Sequence, residues 1–400
     1  MRKKSVADIL HLLTEDILTH LGQVTQIDRH VSRLRGELIV KLLIFSMLRG
    51  NQLSTRVLEH FYNSPLFSHF SGKGAHQTRH SSLADRLSSM KATYFEQLFR
   101  WTSQHFAHVL PNNKFIQQIK HADSTLCAIS SALVAWGMRV GPTPREGAAK
   151  VQVKFTVGLT NWLPTSLESF FDQDHLSEET ALREAIQQAN PQPDELVVFD
   201  AGLKGQKVLQ VFDQQGVPFV TRGTDHLRYH GVKVHRYVQG RTADGLRFVQ
   251  DRAVYLYADG GRLIRHLFWL VEVEVEESGE HLYFLTNVWQ LSAMDIARIY
   301  RRRWDMEAAA AAVFFRFLKQ ELTVKHLLNR SENGVKIQMY AALITAILVI
   351  VYKVSNRIPS YKIVKLKFEE ELLLLLMQEI KTEPPPNGQG VAFTASYSVA

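Results

Sequence analysis

Hydrophobic residues recur at helical spacing through the first quarter of the chain. Four stretches show this pattern: Val6–Leu21, Gly36–Arg49, Ser54–Phe61 and Tyr94–Phe106. Short polar segments rich in Gly, Asn, Ser and Pro separate them, which is typical of breaks between helices. The pattern therefore predicts an all-α domain over residues 1–110.

The pattern changes to that of β-strands after about residue 114. The predicted central strands are Phe115–Asp123, Val151–Leu159 and Leu196–Asp200, with a helix at Ser177–Ala189. Residues 206–290 hold further strand-like runs, separated by Gly-containing turns such as Ala258–Gly261. We therefore predict an α/β fold, with its core beginning over residues 111–205 and a second, β-rich stretch over residues 206–290.

Helical spacing returns in residues 291–380. The predicted helices are Ser292–Lys319, Glu332–Lys353 and Ile363–Ile380. The longest apolar run, Met339–Tyr352, has 14 residues, which is too short to span a bilayer and indicates a core helix. The apolar run Leu372–Met377 predicts packing, either within the chain or against a second protomer. The Pro-rich residues 381–400 predict a disordered tail.

Positive charge is concentrated near the amino end. The chain has a net charge of +8, and residues 1–110 hold 14 Lys and Arg against 8 Asp and Glu. This balance fits a polyanionic partner such as DNA, although a protein with a merely basic surface would show it too. The single cysteine, Cys127, excludes an intramolecular disulfide and a cysteine-based zinc site. With no apolar signal segment at the start, a cytoplasmic protein is expected.

Three acidic residues stand in distinctive local settings. Asp123 and Asp200 each follow an apolar run of strand type, and Glu307 lies in an Arg-rich helical segment. For either Asp alone, a turn-forming or helix-capping role is an equal alternative. Three carboxylates that converge through the fold fit two-metal phosphodiester cleavage, because Mg²⁺ and Mn²⁺ prefer oxygen ligands.

The segment around Glu307 is the most specific string in the chain. In Tyr-Arg-Arg-Arg-Trp-Asp-Met-Glu, Tyr300, Arg303 and Glu307 are spaced so that all three share one face of a helix. The Arg303 guanidinium suits bidentate phosphate binding, and the Glu307 carboxylate suits a metal ion. The alternative is a solvated basic stripe with a packed aromatic residue.

These residues resemble a known family, the DDE transposases of bacterial insertion sequences, in the branch with a Tyr-x-x-Arg-x-x-x-Glu-x-x-x-x-x-x-Lys signature. The resemblance runs from about residue 114 to residue 338. Its anchors are the strings HADST, VVFDAG, FLTNVW and YRRRWDME. It implies a ribonuclease-H-like catalytic core that holds a β-rich insertion and is completed by the C-terminal helices. The all-α domain of residues 1–110 would bind the terminal inverted repeats of the element, and an interaction or dimerisation bundle is the alternative for it.

The resemblance also implies roles for single residues. Asp123, Asp200 and Glu307 would be the catalytic, metal-binding triad for two Mg²⁺ or Mn²⁺ ions. Tyr300 and Arg303 would contact the transposon end, with Trp304 packing beside them. The implied partners are double-stranded DNA, as transposon ends and target, and a second protomer in a synaptic homodimer. A nucleoid-associated location is implied as well.

One departure from the signature concerns its lysine. Position 314 is Phe, and Lys319 lies five residues later because of the run Ala308–Ala312. We expect Lys319 and its neighbour Arg316 to belong to the DNA-binding set, displaced by this run. The displacement predicts weak or absent cleavage with DNA binding retained, so a catalytically impaired, transposase-derived DNA-binding protein is the alternative function. Trp289 is a candidate to stack on an unpaired base, and a core position is its alternative.

Overall fold

The computed structural model describes most of the chain. The described residues are 3–11, 13–50, 53–72, 76–107, 119–130, 138–140, 150–160, 163–199, 206–223, 227–236, 245–258, 261–309, 317, 322, 327–329 and 331–382. Within some strands and helices, including 121–130 and 302–309, the backbone alone is described. Asp200 and the predicted tail from residue 383 lie outside the described residues.

The amino-terminal part is helical. Its helices are α1 (Val6–Leu10), α2 (Glu15–Thr25), α3 (Gly36–Arg49), α4 (Thr55–Tyr62), α5 (Pro65–Ser71), α6 (His80–Ser89) and α7 (Thr93–Ala107). The predicted helix Val6–Leu21 is in fact two helices. Thr14 has an extended backbone, and its hydroxyl accepts a hydrogen bond from the Ile17 amide (3.4 Å), so a new helix starts there.

One sheet of ten strands forms the centre of the chain. The strands are β1 (Ile119–Ser130), β2 (Met138–Val140), β3 (Lys150–Thr160), β4 (Leu163–Phe170), β5 (Leu196–Phe199), β6 (Phe219–Arg222), β7 (Tyr229–Arg236), β8 (Leu246–Tyr257), β9 (Leu263–Val275) and β10 (His281–Thr286). Their order is β2-β3-β1-β5-β6-β10-β9-β8-β7, with β4 also paired to β3. β1, β3 and β4 form an antiparallel meander, and β5 and β6 run parallel to β1.

The predicted β-rich stretch continues the central sheet. β10 pairs with β6 in antiparallel register, with Phe284 opposite Arg222, and β9, β8 and β7 lie further outward. Without β10, β6 would be an edge strand with unpaired backbone groups, so these strands cover it. The predicted mixed α/β architecture is confirmed, and the strands of residues 246–286 extend the same sheet instead of forming one of their own.

Helices cover both faces of the parallel strands. α8 (Glu178–Gln188) and α9 (Gln206–Gln214) pack on the face that carries Val197 and Phe199. α10 (Ala293–Ala309) packs on the opposite face, which carries Leu196 and Val198. All four residues of β5 are buried because helices shield it on both sides, which explains its unbroken apolar sequence.

Two long helices end the described chain: α11 (Glu332–Ser355) and α12 (Tyr361–Thr382). Among the described residues, α11 alone is long and apolar enough to cross a membrane. Its most apolar window is 94% buried inside the protein, as in the core helix of a soluble protein. The prediction that Met339–Tyr352 is a core helix is confirmed.

The first and last helices share one hydrophobic core. Residues of α1 to α7 pack with residues of α11 and α12 and with one face of β3 and β4. A polar contact adds to this packing, since Asn329 donates to the Ala84 carbonyl of α6 (2.8 Å) and accepts from the Ser331 amide at the start of α11 (2.8 Å). Residue 110, the predicted domain boundary, therefore does not mark a boundary of the core.

Candidate functional site

β1 and β5 are neighbours, and they run in the same direction. The Cα partners in this parallel pair are Ile119 with Leu196, Lys120 with Val197, and His121 with Val198. Asp123 lies in β1, two residues after His121, and its Cα partner on the other side is Val157 of β3. Asp200 directly follows Phe199, the last residue of β5, and lies outside the described residues. The β1 backbone that carries Asp123 thus lies beside β5, the strand that precedes Asp200.

Helix α10 covers one face of these strands. Its residues Ile296, Ala297, Ile299 and Tyr300 lie in a core cluster that also contains Ile119 and Leu196. Because the side chains of a strand alternate between its faces, this face is defined by every second residue of β1 and β5. Glu307 lies in α10, two residues before the helix ends at Ala309.

The Tyr300 ring sets the position of α10 on the sheet. Tyr300 is fully buried, and its ring lies 4.7 Å from the Phe284 ring with an interplanar angle of 33°. Phe284 is opposite Arg222, the last residue of β6, so this contact lies at the carboxyl end of the parallel strands. In this arrangement the side chain packs inside the protein, and a DNA contact by the ring would require it to leave Phe284.

The remaining predicted residues of this segment are described only in part. Arg303, Trp304 and Glu307 lie in α10 with their backbones described. Ala308 and Ala309 continue the same helix, as the high helix propensity of alanine predicts. Positions 310–312 and the predicted DNA-binding residues Arg316 and Lys319 lie outside the described residues.

Trp289 lies at the other end of the parallel strands. Nearby Asn287 accepts a hydrogen bond from the amide of Phe219, the first residue of β6 (2.9 Å), which marks the amino end of that strand. The Trp289 ring stacks on Trp269 at a centroid distance of 6.0 Å and an angle of 11°, and Trp289 is 40% exposed. One face of its ring is therefore used in packing.

A half-buried carboxyl group that the sequence pattern does not single out lies away from this site. Burial raises the pKa of Glu168, in β4, to about 7, and the nearby carboxylate of Glu96 adds to this effect while Arg100 opposes it. Its position in the alternating sequence LPTSLESF is typical of a solvent-facing residue. No local sequence pattern predicts its half-buried environment.

The donor set of the three predicted acids fits hard divalent cations. Carboxylate oxygens are the ligands that Mg²⁺ and Mn²⁺ prefer, and a few of them suffice because these ions retain bound water. Within the described side chains there is no group of three or more His, Cys, Asp or Glu residues that could hold a metal ion. The side chains of Asp123, Asp200 and Glu307 are not among those described.

Known proteins provide an independent comparison. Residues 171–348 match the family model described as the transposase DDE domain, a range that includes Asp200 and Glu307 but not Asp123. The chain is 28% identical over 176 residues to "Putative transposase y4zB" of Sinorhizobium fredii, which covers 42% of this chain and 46% of that protein. It is 38% identical over 73 residues to "Probable transposase for insertion sequence element IS5377" of Geobacillus stearothermophilus, 18% of each chain.

A solved structure gives a weaker match. The cryo-EM structure of the piggyBac transposase synaptic complex with hairpin DNA aligns with a TM-score of 0.43 and 10% identity, over 96% of this chain and 83% of that one. The similarity to the two curated relatives spans at most about half of their length. The family model and these two relatives confirm the resemblance, predicted from the sequence, to the DDE transposases of insertion sequences.

Proposed function

We propose that this chain binds the terminal inverted repeats of an insertion sequence and catalyses metal-dependent DNA cleavage and strand transfer there. The observation that carries the proposal is the parallel pairing of β1 with β5 under helix α10. These three elements hold Asp123, the position before Asp200, and Glu307, which are the acids that the family resemblance implies.

The strand order supports a ribonuclease-H-like core. Five strands in the order β4-β3-β1-β5-β6 combine an antiparallel meander with two strands parallel to its first member. In open sheets with parallel strands, active sites lie at the carboxyl ends of those strands. We therefore place the active site at the carboxyl ends of β1, β5 and β6.

The alternation of strand residues supports a convergence of the first two acids. Asp123 lies four residues after Ile119, and Asp200 two residues after Val198. Both reference residues belong to the core on the α10 face of the sheet. Even spacing along a strand keeps side chains on one face, so both carboxylates would lie on the α10 side if β5 continues for one residue.

The direction of α10 supports Glu307 as the third acid. The helix begins soon after β10 ends at the amino end of β6, and Tyr300 lies at the carboxyl end of β6. Glu307 comes seven residues after Tyr300, which is about 10 Å further along and nearly two full turns. It would therefore face the sheet as Tyr300 does, beyond the carboxyl ends of the strands.

Each residue then has a defined part in the reaction. Asp123, Asp200 and Glu307 would hold two Mg²⁺ or Mn²⁺ ions, which when bound promote attack by water or a 3′-hydroxyl and stabilise the leaving oxygen. Arg303 would offset negative charge on the reacting phosphate. Arg303 would also help to position the scissile phosphate.

The other predicted DNA-binding residues rest on different kinds of observation. We propose that Trp304, Arg316 and Lys319 line the path of the DNA, as the family resemblance implies. The burial of Tyr300 favours a positioning role, in which its ring fixes α10 against Phe284. Trp289 has one ring face packed on Trp269 and lies at the amino end of the strands, so base stacking by it would occur away from the acids.

A synaptic homodimer requires a surface for a second protomer, and α12 offers one. Leu372 and Leu376 of the predicted packing run are buried within the chain. Five large apolar residues of α12 are exposed on one stripe: Ile363, Leu366, Leu374, Met377 and Ile380, each between 41% and 57% exposed. Two such stripes, each on the order of 500 Å², approach the area that a specific interface buries. We propose that α12 pairs with its copy, in the cytoplasm at the nucleoid.

The run Ala308–Ala312 favours a second candidate, a transposase-derived protein that binds DNA and cuts poorly. The experiment that separates the two is a Mg²⁺-dependent nicking assay on DNA carrying the element's ends. We expect Asp123→Asn, Asp200→Asn and Glu307→Gln each to lower nicking at least about 100-fold while leaving DNA binding intact, because metal ligands act on the reaction.

The control for the third acid is Asp305→Asn. Asp305 lies two residues before Glu307, about 200° around the helix, so both cannot face the same ions. Full activity of Glu307→Gln together with loss in Asp305→Asn would reassign the third acid. An unmodified chain that binds the ends without nicking them would establish the impaired protein as the function.

A further inference from the structure

The loop between α2 and α3 displays arginines on a rigid frame. It comprises Gln26–Arg35, which we call the α2–α3 loop. Arg29, Arg33 and Arg35 are exposed on it, within seven residues of sequence. Among the ion pairs of the described residues, Arg29 and Arg33 take part in none, so their charges are available to a ligand.

A buried arginine from another helix fixes the shape of this loop. Arg86 of α6 donates to the carbonyls of Ile27 (3.0 Å) and Leu34 (2.8 Å), close to the two ends of the loop. Its side chain is 10% exposed, and it also forms an ion pair with Asp28 (2.9 Å). The single guanidinium group of Arg86 thus binds a carbonyl near each end of the loop.

Asp28 completes the frame from inside the loop. Its Oδ1 accepts from the Gly36 amide at the start of α3 (2.7 Å), and its Oδ2 lies 3.7 Å from Nε of Arg35. A side chain at Gly36 would meet the Ile27 side chain at 3.0 Å, so the loop lies close against the helix start. The negative charge of Asp28 is thereby used in holding the loop, and among the described ion pairs it engages Arg35 and Arg86.

The backbone of the loop is held in an uncommon conformation. Gln26 has φ of 51° and His30 has φ of 64°, in the left-handed region that residues other than glycine rarely adopt. Such conformations persist where the surroundings determine them, and they cluster at binding sites. A loop that is already ordered loses little conformational entropy when its arginines bind.

We propose that the α2–α3 loop binds the phosphate backbone of duplex DNA through Arg29 and Arg33. This inference rests on the proposed function for the identity of the ligand and adds the surface that contacts it. Guanidinium groups engage phosphate oxygens bidentately, and backbone contacts of this kind position a protein on DNA without reading its sequence. Arg86 is a positioning residue, because it holds the loop and is too buried to reach the DNA.

The test measures binding of the full chain to a mixed-sequence DNA duplex of about two helical turns by fluorescence anisotropy. We expect R29Q/R33Q to weaken binding about 10- to 100-fold near 0.1 M salt. The slope of log affinity against log salt should fall by about two, because two phosphate contacts are lost.

The matched control is R100Q/R298Q, which removes the same charge from exposed arginines that form local ion pairs with Glu96 and Asp295. We expect it to keep the wild-type salt slope. R86K keeps the net charge but cannot hold both carbonyls, so weaker binding is expected there too. Unchanged thermal unfolding of R29Q/R33Q excludes a folding defect.

The outcomes distinguish this inference from the proposed function. If the chain binds the duplex and R29Q/R33Q binds as the control does, the loop assignment is wrong and the proposed function stands. If the unmodified chain binds no duplex even at low salt, both are wrong. The same measurement on a duplex RNA of matching sequence tests the identity of the ligand. If R29Q/R33Q weakens binding to the RNA but not to the DNA, the DNA assignment is wrong.

Discussion

The ring of Tyr300 lies on the ring of Phe284, 4.7 Å between centroids, and joins helix α10 to the sheet at the carboxyl end of β6. Tyr300 belongs to the signature segment from which the sequence predicts a DNA contact. Its complete burial gives it a second role, since the position of every later residue in α10 depends on where this ring is held.

Replacing Tyr300 separates these two roles. Tyr300→Ala removes a buried aromatic ring and should lower the free energy of unfolding by about 3–5 kcal/mol. Tyr300→Phe keeps the ring contact and should lower it by no more than about 1.5 kcal/mol. Denaturant unfolding measures both. If Tyr300→Phe is stable yet loses affinity for DNA ends, the hydroxyl contacts DNA and the packing role is insufficient.

Gly334 near the start of α11 has no room for a side chain. A Cβ there would lie 2.4 Å from Cβ of Asn329, whose amide joins α6 to the start of α11. Gly334→Ala should therefore destabilise the protein by about 1–3 kcal/mol, despite the better helix propensity of alanine. Gly231→Ala is the control, since nothing lies within 4 Å of a Cβ there. Thermal unfolding that ranks the two variants equally would contradict the clash.

The raised pKa of Glu168 predicts how stability depends on pH. Its pKa is about 7 in the folded protein against an ordinary value of 4.5, so the folded state binds this proton more tightly than the unfolded state does. Its contribution is complete below about pH 4.5 and is lost as pH rises towards 7. The Gln side chain of Glu168→Gln stays uncharged at every pH in this range. This variant should therefore be more stable than the wild type at pH 8 by about 1–3 kcal/mol.

The measurement for Glu168 is denaturant unfolding of both proteins at several pH values. The difference between Glu168→Gln and wild type should grow between pH 4.5 and 7, the range set by the two pKa values. The same change at the exposed Glu277 is the control and should produce no such growth. A constant difference between Glu168→Gln and wild type across this range would mean that Glu168 ionises in the folded protein as it does in water.

Deletion of Ala308–Ala312 should raise Mg²⁺-dependent nicking. The deletion returns a lysine to the seventh position after Glu307. If the run is helical throughout, its five residues would advance the helix by about 7.5 Å and rotate it by about 140°, which would displace the basic residues relative to the acid. Nicking assays on the deletion and wild-type chains provide the comparison. Equal activity would make the run a tolerated feature and remove its support for an impaired protein.

The exposed stripe of α12 predicts the oligomeric state. L374E/M377E places two charges on the proposed interface and should convert a dimer to a monomer, because a desolvated unpaired charge strongly opposes association. Light scattering after size-exclusion chromatography measures the mass. Val24→Glu, at an exposed apolar residue of α2, is the control and should remain dimeric. A wild-type chain that is monomeric on and off DNA would remove α12 from the synaptic complex.

The sequence predicted single elements better than their arrangement. Helix α3 was predicted with its observed bounds, Gly36–Arg49, because apolar residues at helical spacing and the polar segment after it define it locally. The short strand β2 and the strand β4 were missed, since neither has a distinctive apolar pattern. The continuation of the sheet through β10 depends on which strand lies beside β6, and local periodicity carries no information about that.

For the predicted site too, the local element was predicted from the sequence better than its arrangement with other elements. The segment around Tyr300 and Glu307 was recognised because its spacing fits one helix face, and α10 is that helix. The parallel pairing of β1 with β5 brings together segments more than 60 residues apart, and only the family resemblance pointed to it. The anchoring of the α2–α3 loop by Arg86 has no sequence signal, because its contacts join residues more than 50 positions apart.

The core that α11 shares with α1 to α7 has a consequence for synthesis on the ribosome. The amino-terminal helices emerge first, yet they cannot complete the burial of their apolar faces until α11, more than 200 residues later, has been made. A product that stops before residue 332 would therefore leave those faces exposed and open to proteolysis and aggregation. Shortened copies of such a gene should therefore yield no stably folded amino-terminal fragment.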